Sequence, residues 1–150
     1  TDDKHKDWIE ITSYAFGVSQ AHGGGGRSDA GAAFGGRADF NDLSIAKKLD
    51  KASPKLFLSC IKGDNIPSVV MELCRATGDK SKYLEVKLSD VHVASVQPSG
   101  VPQGSDAVPG ESVNFNYGKI EYTYFATDHK TGKPSGQVAM NWSTTENKGG

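Results

Sequence analysis

Two long strand-like segments of this sequence change the face on which their apolar residues lie. In residues 83–96 the apolar positions begin at Leu84, Val86 and Leu88 and then move to Val91 and Val93, with both faces apolar near the end, and in residues 113–125 the change falls at Gly118. Because successive side chains of a strand point to opposite faces, such a change requires a bulge or a bend. Strands that bend and so contribute to two walls are typical of small closed barrels. The sequence therefore predicts a mainly β protein, a small antiparallel β-barrel.

Other β-rich segments supply the remaining walls of the predicted barrel. Residues 66–77 and 83–96 are joined by a polar Gly-Asp-Lys-Ser turn, which predicts a hairpin. Its core is expected to contain Val69, Met71, Leu73, Leu84, Val86 and Leu88. Three further segments with β-branched or aromatic alternation are predicted strands: residues 7–16, 37–45 and 136–144, the second with a change of face after Phe40.

One short helix is predicted between these strands. Ser53 is expected to be its N-cap, Pro54 its first helical residue and Gly63 its left-handed C-terminal stop. Four apolar residues then form one stripe, which is expected to pack on the sheet: Leu56, Phe57, Cys60 and Ile61. The helix is therefore a flanking element rather than part of a helical domain.

A glycine-rich segment, residues 20–36, is too long for an ordinary hairpin connection. No Lys-Ser/Thr and no helix start follow its glycine run, which argues against a phosphate-binding loop. A contact loop fits better, because glycine lets another backbone approach closely. Phe34 is the candidate anchor of such a contact. The candidate subunit or ring contact residues are Gly23, Gly24, Gly25, Gly26, Arg27, Asp29, Phe34 and Arg37.

Composition excludes several classes of function. The formal net charge of -1 gives no broad basic surface for nucleic acid. No apolar run is long enough for membrane insertion or an export signal, and Cys60 and Cys74 in apolar surroundings are expected to be buried, reduced thiols of a protein folded in a cytosol. The four histidines lack metal-ligand spacing. We therefore expect no enzyme activity, metal or cofactor.

Several stretches together resemble one family, the hemolysin-coregulated protein (Hcp), which forms the tube of the bacterial type VI secretion apparatus. The order and spacing of these stretches, rather than any one of them, carry the resemblance: TDDKHKDWIEI (1–11), FNDLSIAKKLDKASP (40–54), LEVKLSDVHVASV (84–96) and ESVNFNYGKIEYTY (111–124). The resemblance implies a barrel with a flanking helix that forms homohexameric rings. These rings stack into a tube that works with a contractile sheath, a spike protein and effector proteins, so the chain is expected first in the cytoplasm and then secreted.

The resemblance also implies an additional strand before the position of Thr1, so residues 1–150 are expected to form a single barrel domain without one wall strand. An alternative from a different class is a secreted small β-barrel module that binds carbohydrate or peptide through strand aromatics such as Tyr122 and Tyr124. A small hydrolase with its site in the glycine-rich segment is the least favoured hypothesis.

Overall fold

The computed structural model describes residues 8–20, 38–75, 82–100, 109–127 and 134–150. In these ranges the chain forms nine strands and one helix. In chain order these are β1 (Ser13–Ala15), β2 (Val18–Gln20), β3 (Ala38–Phe40), β4 (Leu43–Lys48), α1 (Ser53–Lys62), β5 (Ile66–Cys74), β6 (Lys82–Ser99), β7 (Gly110–Thr127), β8 (Pro134–Ser143) and β9 (Lys148–Gly149).

The strands pair antiparallel in two sheets. The larger sheet has the order β1-β4-β7-β6-β5, with β8 paired to β7 and β9 paired to β8, and the smaller sheet contains β2 and β3. The predicted class, mainly β with antiparallel pairing and one short flanking helix, is confirmed.

The described residues belong to two compact units. One contains the residues up to Asp64 together with those of His92–Asn116, and the other contains those of Asn65–Val91 and Tyr117–Gly150. The first unit thus includes α1 and strands β1 to β4, and the second includes β5, β8 and β9. The prediction that residues 1–150 form a single barrel domain stays a prediction.

The predicted change of face in β6 is confirmed. In β7 the buried positions move from Tyr117 to Ile120 across Gly118, but Tyr122 and Tyr124, on the same parity as Ile120, are exposed. In β6 the side chains of Leu84, Val86, Leu88, Val91 and Val93 are all buried, and Asp90 between the two sets has a positive φ of 52°. Few non-glycine residues adopt that region, which marks a local irregularity of the strand. A Cβ atom at position 118 would lie 3.1 Å from the Cβ of Asp90, so the glycine accommodates the neighbouring strand there.

The predicted β5–β6 hairpin is confirmed, and its register explains the core. Val69 pairs with Leu88, Met71 with Val86 and Leu73 with Leu84. Met71 and the three β6 residues are buried, whereas Val69 and Leu73 are half-buried because β5 lies at the edge of the sheet.

Other predictions need correction. Within the predicted strand 7–16 only Ser13–Ala15 is a strand among the described residues, and residues 37–45 divide into β3 and β4, which lie in different sheets. The two cysteines are half-buried rather than buried. Residues 78–81, the predicted hairpin turn, lie outside the described ranges.

Candidate functional site

A lysine and a glutamate form an ion pair inside the first unit. Leu43, Ile45 and Lys47 alternate on the buried face of β4. On β7 the buried face continues this pattern, and the antiparallel register sets Lys47 directly opposite Glu111. Each of the two strands therefore has one buried charged residue at the end of its row of buried apolar residues. The charge on β4 is positive and the charge on β7 is negative.

Both charged groups are removed from water. The Lys47 side chain is 0% exposed and that of Glu111 1%, and the Nζ–Oε1 distance is 2.6 Å. Lys47 Nζ also donates to the carbonyl oxygen of Lys48 at 3.1 Å, to Asp50 Oδ1 at 2.9 Å and to Ser53 Oγ at 3.1 Å. These hydrogen bonds compensate for the loss of water around the buried ammonium group. Removing one partner of a buried ion pair destabilises the fold by more than the pair itself stabilises it, because the remaining charge is left buried and unpaired.

The pKa values of this cluster follow from these contacts. Burial acts to lower the pKa of Lys47, but its hydrogen bonds to Glu111 and Asp50 and their negative charges outweigh burial and leave that pKa above its usual value. Burial likewise acts to raise the pKa of Asp50, but hydrogen bonds from Lys47 and from the Ala52 backbone N–H hold it below the usual value. Both groups therefore stay charged at neutral pH.

Ser53 connects the ion pair to the start of α1, which corrects its predicted role. Ala52 occupies the N-cap position and makes no side-chain cap bond, so the prediction that Ser53 is the N-cap is wrong. Instead, the Ser53 hydroxyl donates to Glu111 Oε1 at 2.9 Å and accepts from the Asp50 N–H at 3.0 Å. Ser53 is the buried residue of this helix. Its hydrogen bonds to Lys47 and Glu111 therefore hold the first turn of α1 against β4 and β7.

The apolar face of α1 is largely exposed, against the prediction that it packs on the sheet. Leu56 and Cys60 are half-buried, but Phe57, Leu58 and Ile61 are exposed, Ile61 by 69%. The C-terminal end agrees with prediction: Gly63 has φ 64°, and its N–H donates to the Cys60 carbonyl. The helix thus displays apolar side chains rather than burying them.

A second exposed apolar surface lies on β7 and β8. Tyr122 pairs with Met140 and Tyr124 with Val138, so these four side chains share one face of the β7–β8 strand pair. All four are exposed, Val138 by 73%. Contiguous exposed apolar surface is a feature of protein–protein and membrane interaction sites and of ligand-binding grooves.

The second unit also has an open, polar depression of about 570 Å³. Its charges balance, with Asp90 and Glu146 opposed by Lys119 and Lys148, and no aromatic side chain lines it. Carbohydrate recognition relies on aromatic stacking, so this depression does not support the carbohydrate-binding alternative.

The predicted contact residues cannot be placed. Gly23 to Gly26, Arg27, Asp29, Phe34 and Arg37 all lie outside the described residues, so this prediction stays open. In the described ranges no three His, Cys, Asp or Glu side chains come close enough together to hold a metal ion. The described helix is too short to cross a membrane.

Sequence analysis missed Lys47 and Glu111. The available signal was positional: Lys47 continues the Leu43–Ile45 alternation, and Glu111 precedes the Val113–Phe115 alternation on the same parity. A charge at an inward position of one strand calls for an opposite charge on a neighbouring strand. Which strand is the neighbour depends on topology, which the sequence pattern leaves open.

Comparison with known proteins places this antiparallel β chain among type VI secretion proteins. The family model described as "Type VI secretion system effector, Hcp" matches residues 1–124. The chain belongs to the Hcp family.

Individual relatives agree with this assignment. The chain is 29% identical over 112 residues to Protein hcp1 of Pseudomonas aeruginosa, covering 74% of this chain and 68% of that protein. A solved type six secretion system protein is 34% identical with a TM-score of 0.89, covering 100% of this chain and 91% of the other. Hcp1 from Salmonella typhimurium is 25% identical with a TM-score of 0.75, covering 99% and 87%. These relatives favour the secretion-tube hypothesis over a carbohydrate- or peptide-binding module.

Proposed function

We propose that this chain is a structural tube subunit of a type VI secretion apparatus. Six copies close into a ring, and the rings stack into a tube that carries effector proteins. The observation that carries the proposal is the match to the Hcp family model over residues 1–124. Each copy is a single β-barrel domain made in the cytoplasm and exported by the apparatus, where the tube contacts a spike protein and a contractile sheath.

The exposed apolar surfaces of the single chain support assembly. Tyr124 and Val138 on the β7–β8 ribbon, and Leu58 and Ile61 on α1, are all at least half exposed. Apolar surface of this kind is stabilised when another protein covers it, at about 25 cal/mol per Å² removed from water.

The buried ion pair supports a structural rather than a catalytic role. Lys47 and Glu111 form the most deeply buried charge pair among the described residues, and neither side chain is exposed by more than 1%. A substrate could reach neither group. Their contacts run to β4, to β7 and to the start of α1, so their charges fix the subunit's shape, and no cofactor is needed for that role.

The glycine-rich segment is proposed to contact a neighbouring subunit or ring through Phe34, with Arg27, Asp29 and Arg37 around it. Deleting residues 23–35 should then reduce stacking of rings, and Phe34→Ser should reduce it in the same direction. A matched control is Ser28→Ala in the same segment. Equal ring and stack populations for the deletion and the parent in sedimentation would contradict this contact role.

The tube function is tested by electron microscopy of the purified chain. The proposal predicts closed rings and, at high protein concentration, stacks of rings. Raising the salt concentration should weaken contacts made by exposed charges, because such contacts are screened. Monomers at all concentrations, together with melting that shifts on addition of an oligosaccharide or a peptide, would support the binding-module alternative instead.

A further inference from the structure

The outward face of α1 carries both apolar and positively charged side chains. Phe57, Leu58 and Ile61 are exposed, and so are Lys55 and Lys62. With about 3.6 residues per helical turn, the two lysines lie on one side of Leu58, and the other two apolar residues lie on its other side. The outward face is therefore divided along its length into an apolar half and a basic half.

The segment around α1 is basic, although the whole chain has a net charge of -1. Residues 48–62 contain one acid and four exposed lysines: Lys48, Lys51, Lys55 and Lys62. The acid, Asp50, already bonds the buried Lys47. In the part of the chain that the structure describes, these lysines make one ion pair, the exposed 4.0 Å contact between Lys62 and Asp64. Most of the positive charge of this segment is therefore not compensated within the chain.

α1 is also held in place in the single chain. Ser53 bonds Lys47 and Glu111 at its first turn, and Leu56 and Cys60 are half-buried on the face opposite the outward one. A partner that binds the outward face therefore does not have to order the helix first, which removes one cost of binding.

We propose that the outward face of α1 binds the surface of an anionic membrane. Phe57, Leu58 and Ile61 enter the boundary between head groups and acyl chains, and the lysines lie at the level of the head groups. Helices in the membrane interface combine an apolar face with lysine-rich flanks. Clusters of about four to eight lysines or arginines on such a helix recognise anionic lipids.

The charge and shape of this face favour a lipid surface as its partner. An excess of lysines over acids matches a surface that presents many anionic groups, and a lysine stem can follow apolar surface while its ammonium group stays in water. A bilayer also accepts a projecting helix without a groove shaped to it. The inference goes beyond the proposed tube function, because it concerns the single chain.

Flotation of the full chain with lipid vesicles tests the proposal. One vesicle contains phosphatidylcholine alone, and the other contains equal parts of phosphatidylcholine and phosphatidylglycerol. The dilute chain should float with the anionic vesicles at least about tenfold more strongly, because each lysine near an anionic surface adds attraction. Raising the salt concentration should reduce this binding by screening the charges.

Variants of α1 assign the binding to its outward face. Ile61→Gln should weaken binding about tenfold, because an exposed apolar side chain no longer leaves water. Lys55→Gln/Lys62→Gln should weaken it by a similar factor. The matched controls are Val138→Gln, at another exposed apolar residue, and Lys87→Gln/Lys119→Gln, at two other exposed lysines. Both controls should bind within about twofold of the parent.

The outcomes separate a lipid surface from a protein partner. Equal binding to both vesicles, or no binding to either, overturns the proposal, as does full binding by folded Ile61→Gln. If Ile61→Gln loses rings in native mass spectrometry but floats like the parent, this face contacts protein instead of lipid. Should Ile61→Gln unfold at lower urea than Val138→Gln, the exposed Phe57→Gln replaces it, with the same outcomes. None of these vesicle results bears on whether the parent chain forms rings, so the proposed function is tested separately.

Discussion

Replacing Glu111 by leucine tests the buried ion pair most sharply. The substitution leaves the Lys47 ammonium inside the protein without its nearest anion, at a position where its side chain is 0% exposed. Removing one member of a buried pair costs about 3–5 kcal/mol. Lys47 keeps Asp50, Ser53 and the Lys48 carbonyl, which places the expected loss at about 3 kcal/mol.

The double variant Lys47→Met/Glu111→Leu separates charge from packing. Apolar residues of similar volume in place of a whole buried pair are often neutral or stabilising, so the double variant should recover most of the stability that Glu111→Leu loses. Glu111 Oε2 is buried and has no hydrogen-bond partner in the described structure. Replacing this carboxylate in the double variant therefore also removes an unsatisfied polar atom, which lowers the cost of the substitution. A large favourable coupling energy between the two positions is therefore expected.

Urea unfolding followed by tryptophan fluorescence measures these free energies. All variants are compared at one protein concentration, because assembly adds to apparent stability. Glu146→Gln is the matched control, since Glu146 forms an exposed pair with Lys148 and should change stability by less than about 1 kcal/mol. A loss for Glu111→Leu no larger than that of the control would refute the reasoning, as would a double variant less stable than Glu111→Leu.

Three further variants test the remaining structure. Ser53→Ala should lower the free energy of unfolding by about 1–3 kcal/mol, because a buried hydroxyl that bonds Glu111 is lost; an unchanged urea midpoint would contradict this. The Asp50 pKa is lowered on folding, so its contribution is present above the unfolded value of about 3.8 and lost as pH falls below it; Asp50→Asn should weaken this acid dependence in pH-dependent melting. Val86→Asp should cost several kcal/mol and reduce soluble expression, whereas the exposed Lys87→Asp should do neither.

Local patterns in the sequence predicted much of the fold. The change of face in β6 could be predicted because a strand with one buried face has apolar residues at every second position. In β6 this alternation of apolar residues is interrupted at Asp90, which has a positive φ. The bounds of α1 followed from Pro54 and Gly63, whose backbone preferences are local. The first strand was predicted too long because β-branched and aromatic residues extend over the whole of residues 7–16. In the described chain, only Ser13–Ala15 of this segment pairs with β4.

Long-range contacts were not predictable in this way. Ser53 is a favourable N-cap residue, yet its hydroxyl bonds a glutamate 58 positions away, and tertiary contact overrides local preference there. The Lys47–Glu111 pair depends on the β4–β7 register, across 64 positions. The exposed apolar residues of α1 were expected in a core because a helical stripe looks the same whether it packs within a chain or between chains.

Native mass spectrometry of the purified chain tests the central claim most directly. The proposed tube subunit predicts a species of six times the chain mass of 15.9 kDa, which dissociates as protein is diluted. A chain that remains a monomer at every concentration at which it is folded and soluble would contradict the account.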